Sequence, residues 1–114
     1  MGPLPLVAAL PAFAAELESA LHGDGEPDLA GQIASLAITH RCRCEEVHCA
    51  SVSVTNGRTA PEPGGLWNHI VGVDTGTVIL DVSFGLITFI EVLDRPDVAA
   101  TVTALQLPLR EPSS

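Results

Sequence analysis

The residues of this sequence that are best suited to chemistry lie together in one ten-residue stretch. It contains all the cysteines of the chain, Cys42, Cys44 and Cys49, and two of the histidines, His40 and His48. Three thiolates and one imidazole are a complete tetrahedral ligand set for Zn²⁺, whose structural sites are closed by Cys₃His or Cys₄. The stretch therefore predicts a structural zinc site.

An alternation of residue types predicts that the three thiols converge. Residues 36–44 alternate with a period of two, which indicates a strand. One face of this strand would carry Ile38, His40, Cys42 and Cys44. Residues 45–48 are predicted to turn and residues 49–55 to return as a second strand, so that a hairpin forms. Cys49 then lies opposite Cys44, with the third thiol diagonal, and the three lie within about 4.5–8 Å.

Three histidines are candidates for the fourth ligand of the predicted zinc site. His40 shares the predicted strand face with two thiols, and His48 lies in the predicted turn. His69 would reach the site from another strand. The candidate metal ligands are therefore Cys42, Cys44 and Cys49 with one of His40, His48 or His69.

Two other roles for the same thiols stay open. Free cysteine is a small and often buried residue, so all three would also fit the core. Alternatively, Cys44 and Cys49 would form a redox-active pair, with a thiol pKa lowered by the neighbouring Arg41 and Arg43. The two arginines would equally suit the solvated face of the strand.

Composition restricts the classes of partner. Fourteen acidic residues against five arginines give a formal net charge of −9, and such a surface repels nucleic-acid phosphates and anionic membranes. No apolar run approaches the roughly 18 residues of a spanning helix. The first ten residues lack the basic start of a signal peptide, and three cysteines are an odd number for disulfides. We expect a cytoplasmic protein that binds neither nucleic acid nor membrane.

The elements that must position these residues are those of an α+β domain. With 46% hydrophobic and 17% charged residues, a chain of 114 residues can bury one core. We predict a single domain over residues 11–105, preceded by an extended arm (1–10) and followed by a flexible tail (106–114). Its elements are two N-terminal helices, an antiparallel sheet of about five strands built from hairpins, and one C-terminal helix.

Local patterns set the bounds of the predicted helices. The first begins at Pro11 and ends at residues 22–25, and the second begins near Pro27. The C-terminal helix is predicted to start with Asp94 as its N-cap and to run to about Leu105.

The second half of the chain is predicted to form hairpins. Residues 77–82 and 86–93 alternate as strands around a three-residue loop, residues 83–85. A strand over residues 67–73 precedes them, after a loop over residues 58–66. Trp67, beside that loop, fits either the core or an exposed interface anchor, and we expect the core.

These motifs carry two resemblances. The spacing Cys-x-Cys-x₄-Cys over residues 42–49 resembles the post-SET zinc knuckle of lysine methyltransferases, where a distant cysteine completes the site; here a histidine would have to replace it. The RCRC…C motif from Arg41 to Cys49, followed by segments 78–82 and 90–98, looks like a family of small bacterial α+β proteins. The first resemblance implies zinc. The second implies this order of elements and no assigned activity.

Together these observations favour a binding role over catalysis. The sequence has no phosphate-binding glycine loop, Ser-His-Asp order or metalloprotease helix. We expect a small interaction module with an unidentified protein partner, stabilised by zinc, or alternatively a thiol redox protein that uses Cys44 and Cys49. A small enzyme with residues 58–66 as a lid is a third possibility. An apolar edge strand would also allow two copies to pair as a homodimer.

Overall fold

Four helices and six strands make up the part of the chain that the structure, a computed structural model, describes: residues 4–41, 50–56 and 65–108. The helices are α1 (Leu6–Ala9), α2 (Pro11–Gly23), α3 (Pro27–Gln32) and α4 (Pro96–Ala104), and a 3₁₀ turn (Ile33–Ser35) follows α3. The strands are β1 (Leu4–Pro5), β2 (Ala37–Arg41), β3 (Val52–Thr55), β4 (Leu66–Ile70), β5 (Thr77–Ser83) and β6 (Leu86–Leu93). Within these ranges, no helix is long and apolar enough to cross a membrane.

The strands form one antiparallel sheet in the order β1-β2-β3-β6-β5-β4. From β3 the chain passes to β4 at the far edge and returns through β5 to β6, which pairs with β3. The predicted α+β class is confirmed. The sheet has one strand more than predicted, because β1 adds to it from the segment that was expected to be an arm.

This N-terminal segment differs from the predicted extended arm. After β1 the chain turns into α1, and the Leu6 N–H donates to the Leu36 carbonyl (2.9 Å). Leu6 and Leu10 lie one helical turn apart and are both buried. Burial of these two side chains stabilises the segment against the core, so it belongs to the domain.

The sheet and the helices share one core. In β5, the buried residues Val78, Leu80 and Val82 alternate with partly exposed ones, as the period of two predicted. The helices contribute Phe13, Ala14, Leu17, Leu21, Leu29, Val98 and Val102, all buried. Their three- and four-residue spacing follows the predicted helical pattern.

The alternation predicted for residues 36–44 is interrupted inside β2. Ile38 pairs with Val54 but His40 pairs with Ser53, because the register shifts between Ile38 and His40. Thr39 is the extra residue, and its hydroxyl donates to the Ser53 carbonyl (3.3 Å). Successive residues of a strand point to opposite faces, so His40 shares the face of Ser53. The prediction that Ile38 and His40 share a face was wrong, because a bulge reverses the alternation.

The hairpin between β5 and β6 is tighter than predicted. Ser83 pairs directly with Leu86, so the loop contains two residues instead of three. Both have positive φ, +52° at Phe84 and +84° at Gly85, which is the pattern of a type I′ turn. Glycine adopts this conformation without strain, whereas phenylalanine does not.

The start of α4 is fixed by Arg95 rather than by an Asp94 cap. Asp94 has φ +58°, and Arg95 occupies the N-cap position without a side-chain cap bond. The buried Arg95 guanidinium donates to both carboxylate oxygens of Glu16 (2.8 and 2.7 Å) and to those of Asp97 (3.2 and 3.1 Å). It also lies over the Phe13 ring, 5.5 Å from its centroid. Capping rules missed this contact because it joins α4 to α2.

The chain beyond α4 stays on the domain as far as Pro108, where a flexible tail was predicted. The Arg41 N–H donates to the Pro108 carbonyl (2.9 Å), and Leu107 packs against the core. Residues 106–108 are therefore held beside β2.

Candidate functional site: the edge strand β4

Exposed apolar side chains are concentrated at one edge of the sheet in the described part of the chain. Leu66, Trp67 and Ile70 of β4 are 76%, 42% and 71% exposed, and Phe84 at the adjacent hairpin tip is 45% exposed. We call these four residues the β4 edge patch. Trp67 is on the surface instead of in the core because β4 is the last strand of the sheet. Groups of exposed apolar residues on a folded domain mark interaction sites.

The backbone bonds between β4 and β5 show which groups of β4 are already paired. The Val71 N–H donates to the Val78 carbonyl (2.9 Å), and the Phe84 N–H donates to the Gly65 carbonyl (3.2 Å). In an antiparallel pair, residues that bond to the neighbouring strand alternate with residues whose N–H and C=O point away from it. Odd-numbered residues of β4 therefore bond to β5.

Even-numbered residues of β4 direct their backbone groups away from the sheet. They are Leu66, Asn68 and Ile70, each with one N–H and one C=O. Among the described residues no strand lies beyond β4. The edge thus offers three donors and three acceptors in a row, next to exposed apolar side chains.

The opposite edge of the sheet is protected, at least over the described residues. β1 consists there of Leu4 and Pro5, and proline has no N–H to offer a further strand. Further along β2, the Arg41 N–H is taken by the Pro108 carbonyl. β4, in contrast, contains no proline, lysine or other charged residue, and its register against β5 runs without a shift. Natural proteins usually blunt such an edge, so an open one points to a binding role.

β4 is supported from the helix side by Asp24, the residue after α2. The oxygen Asp24 Oδ2 accepts hydrogen bonds from His69 Nε2 (3.0 Å) and from the Gly72 N–H (3.0 Å). The Trp67 ring meets the His69 ring edge-on, with their centroids 6.2 Å apart. Asp24 therefore fixes the end of β4 relative to α2 and orients both rings.

This contact requires glycine at position 72. A Cβ atom there would lie 2.6 Å from Asp24 Oδ1, closer than real Cβ contacts come. The hydrogen bond from the Gly72 N–H, followed by that from His69, lowers the pKa of the Asp24 carboxyl from its usual 3.8. Asp24 is thus an ionised acceptor at neutral pH.

An Asp-His pair is also the orienting half of a nucleophilic triad. Asp24 bonds Nε2 of His69, so Nδ1 would have to activate the nucleophile. Across residues 4–41, 50–56 and 65–108, no hydroxyl or thiol is hydrogen-bonded to His69. In the same ranges, no three His, Cys, Asp or Glu side chains are grouped to hold a metal ion. The pair is best explained as support for β4.

A buried amide fixes the hairpin tip beside β4. Gln32 Nε2 donates to the Gly85 carbonyl (2.7 Å), and Gln32 Oε1 accepts from the Ile87 N–H (2.9 Å) and from Asn56 Nδ2 (3.2 Å). The tip held in this way includes Phe84, whose left-handed backbone costs about 1 kcal/mol for a bulky residue. Because the residue is 45% exposed, burial in the core does not explain this cost. Strain of this kind is typical of functional positions.

The structure describes two of the six predicted zinc ligands, His40 and His69. Cys42, Cys44, Cys49 and His48 lie outside the described residues. β2 and β3 are paired, with Arg41 opposite Val52, so the predicted pairing of the two strands is confirmed, while the predicted turn over residues 45–48 lies outside the described residues. His40 lies on β2 and His69 on β4, four strand spacings apart in the sheet, or about 19 Å at about 4.8 Å per strand. The structure does not bring these two histidines together, and His69 is already bonded to Asp24.

No sequence pattern predicted a role for Asp24, and His69 was predicted only as a metal ligand. The two residues are 45 positions apart, and no local pattern predicts such a contact. One signal was present: residues 66–70 contain three large apolar residues and no acidic residue, in a chain with net charge −9.

Independent support for any of these assignments would come from related proteins. The post-SET-like spacing and the RCRC…C motif remain predictions. Comparison with protein families, with curated proteins and with solved structures finds no match for this chain.

Proposed function

We propose that this protein is a small intracellular interaction module that binds an extended polypeptide segment at the outer edge of β4. In this mode a partner strand adds to the sheet, its backbone hydrogen bonds supply affinity, and its alternate side chains supply specificity. The main support for this proposal is that β4 has both backbone groups directed away from the sheet and exposed apolar side chains.

The side chains of β4 define what the partner must offer. Leu66 and Ile70 lie two residues either side of Asn68, on one face of the sheet. A matching strand therefore carries apolar residues four positions apart with a small or polar residue between them. Because the whole chain has net charge −9, a strongly acidic segment is disfavoured.

The centre of the strand has one carboxylate beside it. Asp81 of β5 pairs with Asn68. With its amide oriented to satisfy both groups, Asn68 donates to Asp81 Oδ1 (3.1 Å) and to the Trp67 carbonyl (3.2 Å). The Asp81 carboxylate thus has a hydrogen-bonded partner on β4.

Selection of peptides from a random displayed library tests strand addition. The variant Asn68→Pro removes one outward N–H and places a proline ring at the edge, where the monomer needs no hydrogen bond. We expect selected peptides to bind the native chain and Asn68→Ala, and to lose at least about tenfold in affinity for Asn68→Pro. Bound peptide should slow hydrogen exchange at the N–H groups of Leu66, Asn68 and Ile70.

The control for this measurement lies within β4 itself. The N–H groups of Trp67 and His69 already bond to β5, so bound peptide should change their hydrogen exchange least. Peptides that bind Asn68→Pro as well as the native chain would overturn the proposal, and so would a native chain that stays monomeric and yields no binder.

A structural zinc site at the β2–β3 connection is a second candidate property. It is supported by the pairing of Arg41 with Val52 and by the hydrogen bond from the Ala50 N–H to the Val92 carbonyl (3.0 Å). Arg41, before the segment 42–49, and Val52, shortly after it, therefore lie opposite each other on adjacent strands. With His69 committed to Asp24, His40 or His48 is the favoured fourth ligand.

Metal content of the protein, purified without an affinity tag or chelator, tests this candidate. Zinc near one equivalent, with three thiols protected until a chelator is added, would support it. Rapid alkylation of one thiol without bound metal would instead favour the redox alternative with Cys44 and Cys49. Three thiols that react only on unfolding would place them in the core.

A further inference from the structure

We infer that the strand that adds to β4 is the β4 strand of a second copy, so that two sheets join through a symmetric antiparallel pair centred on Asn68. This inference rests on the proposed strand addition and names its partner. It follows from the register of the outward groups, the side-chain pattern, the charge at the edge and the protection of the opposite edge.

The outward groups select the register. With Asn68 opposite Asn68 of the second copy, Leu66 lies opposite Ile70 and Ile70 opposite Leu66. All three pairs then have the hydrogen-bonded geometry, in which two residues exchange both backbone bonds. A shift by one residue would set outward groups of one copy against inward groups of the other.

The same register makes the side chains self-complementary. Leu66 and Ile70 are the two most exposed large hydrophobic residues among those described, at 76% and 71%. The two-fold axis places Leu66 of each copy opposite Ile70 of the other, so two such pairs form. Directly opposite side chains lie about 5 Å apart, so both apolar pairs are covered. On the helix side, Trp67 lies opposite His69 of the second copy.

Charge does not oppose this pair, although each chain has net charge −9. β4 contains no acidic residue and no arginine, and the Asp24 carboxylate on its helix side is hydrogen-bonded to His69 and to the Gly72 N–H. The nearest carboxylates on the same face are the two Asp81 groups, one strand in from each edge. They would be three strand spacings apart, about 14 Å, which exceeds the screening length of about 8 Å at physiological ionic strength.

The arrangement of edges also explains why association would stop at two copies. A two-fold pair uses the same edge of both chains and leaves no second β4 for a third copy. The remaining edge is β1, with Pro5, and the Arg41 N–H beyond it is taken. An exposed strand without this closure would form open filaments, so the protected edge fits a closed dimer.

Complementary charged variants test the partner and the register together. The acidic variant carries Leu66→Glu and Ile70→Glu, and the basic variant carries Leu66→Lys and Ile70→Lys. In the inferred register, position 66 always meets position 70 of the other copy. Each variant alone therefore sets like charges opposite each other, whereas a mixture sets opposite charges at both pairs.

Light scattering coupled to gel filtration gives the readout over a concentration series. We expect the native chain and Asn68→Ala to have the mass of two chains, and each charged variant and Asn68→Pro to have the mass of one. A mixture of the acidic and basic variants should recover the mass of two. Val7→Lys, at an exposed apolar residue outside the β4 edge patch, should stay dimeric. Circular dichroism like that of the native chain would show that the variants are folded.

The outcomes separate this inference from the proposed function. A native chain that is monomeric throughout, while selected peptides still protect the outward N–H groups, would overturn the second copy and leave strand addition standing. A dimer that persists in the charged variants and in Asn68→Pro would place the contact elsewhere and overturn the inference. A monomer that binds no peptide would overturn both.

Discussion

Single residues in this protein explain why one strand is well supported and yet open. Asp24 bonds His69 and the Gly72 N–H through one oxygen, so the helix side of β4 is anchored. Phe84 has a strained backbone although the residue is 45% exposed. One residue stabilises the edge, and the other costs stability beside it, as expected where function competes with stability.

The contact between Asp24 and Gly72 predicts a coupled pair of mutations. Asp24→Ala should lower the free energy of unfolding by about 1–2 kcal/mol, because it removes two hydrogen bonds to a charged acceptor. Gly72→Ala should cost about 1 kcal/mol in the native chain, because its Cβ displaces the carboxylate, and close to nothing in the Asp24→Ala background. Urea unfolding of the four proteins measures the coupling.

Gly65→Ala is the control for this pair, because a Cβ at position 65 meets nothing within 4 Å. If Gly72→Ala costs the same with and without the Asp24 carboxylate, the glycine is required for some other reason than this contact.

Phe84→Asn is expected to stabilise the domain and weaken binding at the edge. Asn-Gly is the preferred pair for a type I′ turn, since asparagine tolerates positive φ. The free energy of unfolding should rise by about 1 kcal/mol, and affinity at the β4 edge should fall because the exposed ring is lost. Phe84→Ala is the control: it should weaken binding without this gain. Unchanged affinity in both variants would mean that Phe84 takes no part in the binding surface.

At the scale of elements, polar contacts between distant segments position the binding edge. Gln32 at the end of α3 holds the β5–β6 hairpin, and Arg95 ties α4 to α2. The pKa of Arg95 is raised by the hydrogen bonds that its guanidinium donates, chiefly those to Glu16 and next those to Asp97. These contacts are directional, so they set the orientation of elements that apolar packing alone would leave less defined.

Gln32→Met tests the role of the buried amide. Methionine fills a similar volume but leaves the buried Ile87 N–H and the Gly85 carbonyl without their partner, which should cost about 2–3 kcal/mol. Hydrogen exchange at residues 84–87 should accelerate more than in the rest of β5 and β6. Gln106→Met, at an exposed position, should change stability by less than about 0.5 kcal/mol. Equal effects of the two variants would remove Gln32 from this role.

At the scale of the whole molecule, two carboxyl groups link stability to acid. Hydrogen bonds from Gly72 and His69 lower the pKa of Asp24, and those from Arg95 lower the pKa of Asp97. Each folded-state pKa lies below the unfolded value, so the unfolded chain binds more protons in that window. Both groups therefore stabilise the fold above about pH 4 and lose this effect as the pH falls through the folded-state values.

The double variant Asp24→Asn with Asp97→Asn should therefore be less stable than the native chain at pH 7, and the difference should shrink below about pH 4. Urea unfolding across this range measures it. Gln32→Met removes no titratable group and should lower stability by a similar amount at every pH. A difference between the double variant and the native chain that stays constant down to pH 2 would contradict the assignment.

Elements whose cause is local could be predicted from the sequence. Apolar spacing and Pro11 predicted α2, strand patterns predicted β5 and β6, and the pairing of β2 with β3 was predicted as well. These assignments rest on side-chain periodicity and turn chemistry, which act over a few residues. At Thr39 the strand was predicted but its bulge was not, and at Phe84 the hairpin was predicted but its two-residue turn was not.

Which strand lies at the edge, and what faces it, depends on tertiary packing. A strand formed by residues 66–70 could lie inside a sheet or at its edge, so the exposure of Trp67 depends on β3 pairing with β6 instead of with β4. Asp24 likewise meets His69 only because α2 ends beside the last strand. Such contacts depend on how distant segments pack, because strand order is set by burial of the shared core and not by any pattern within one segment.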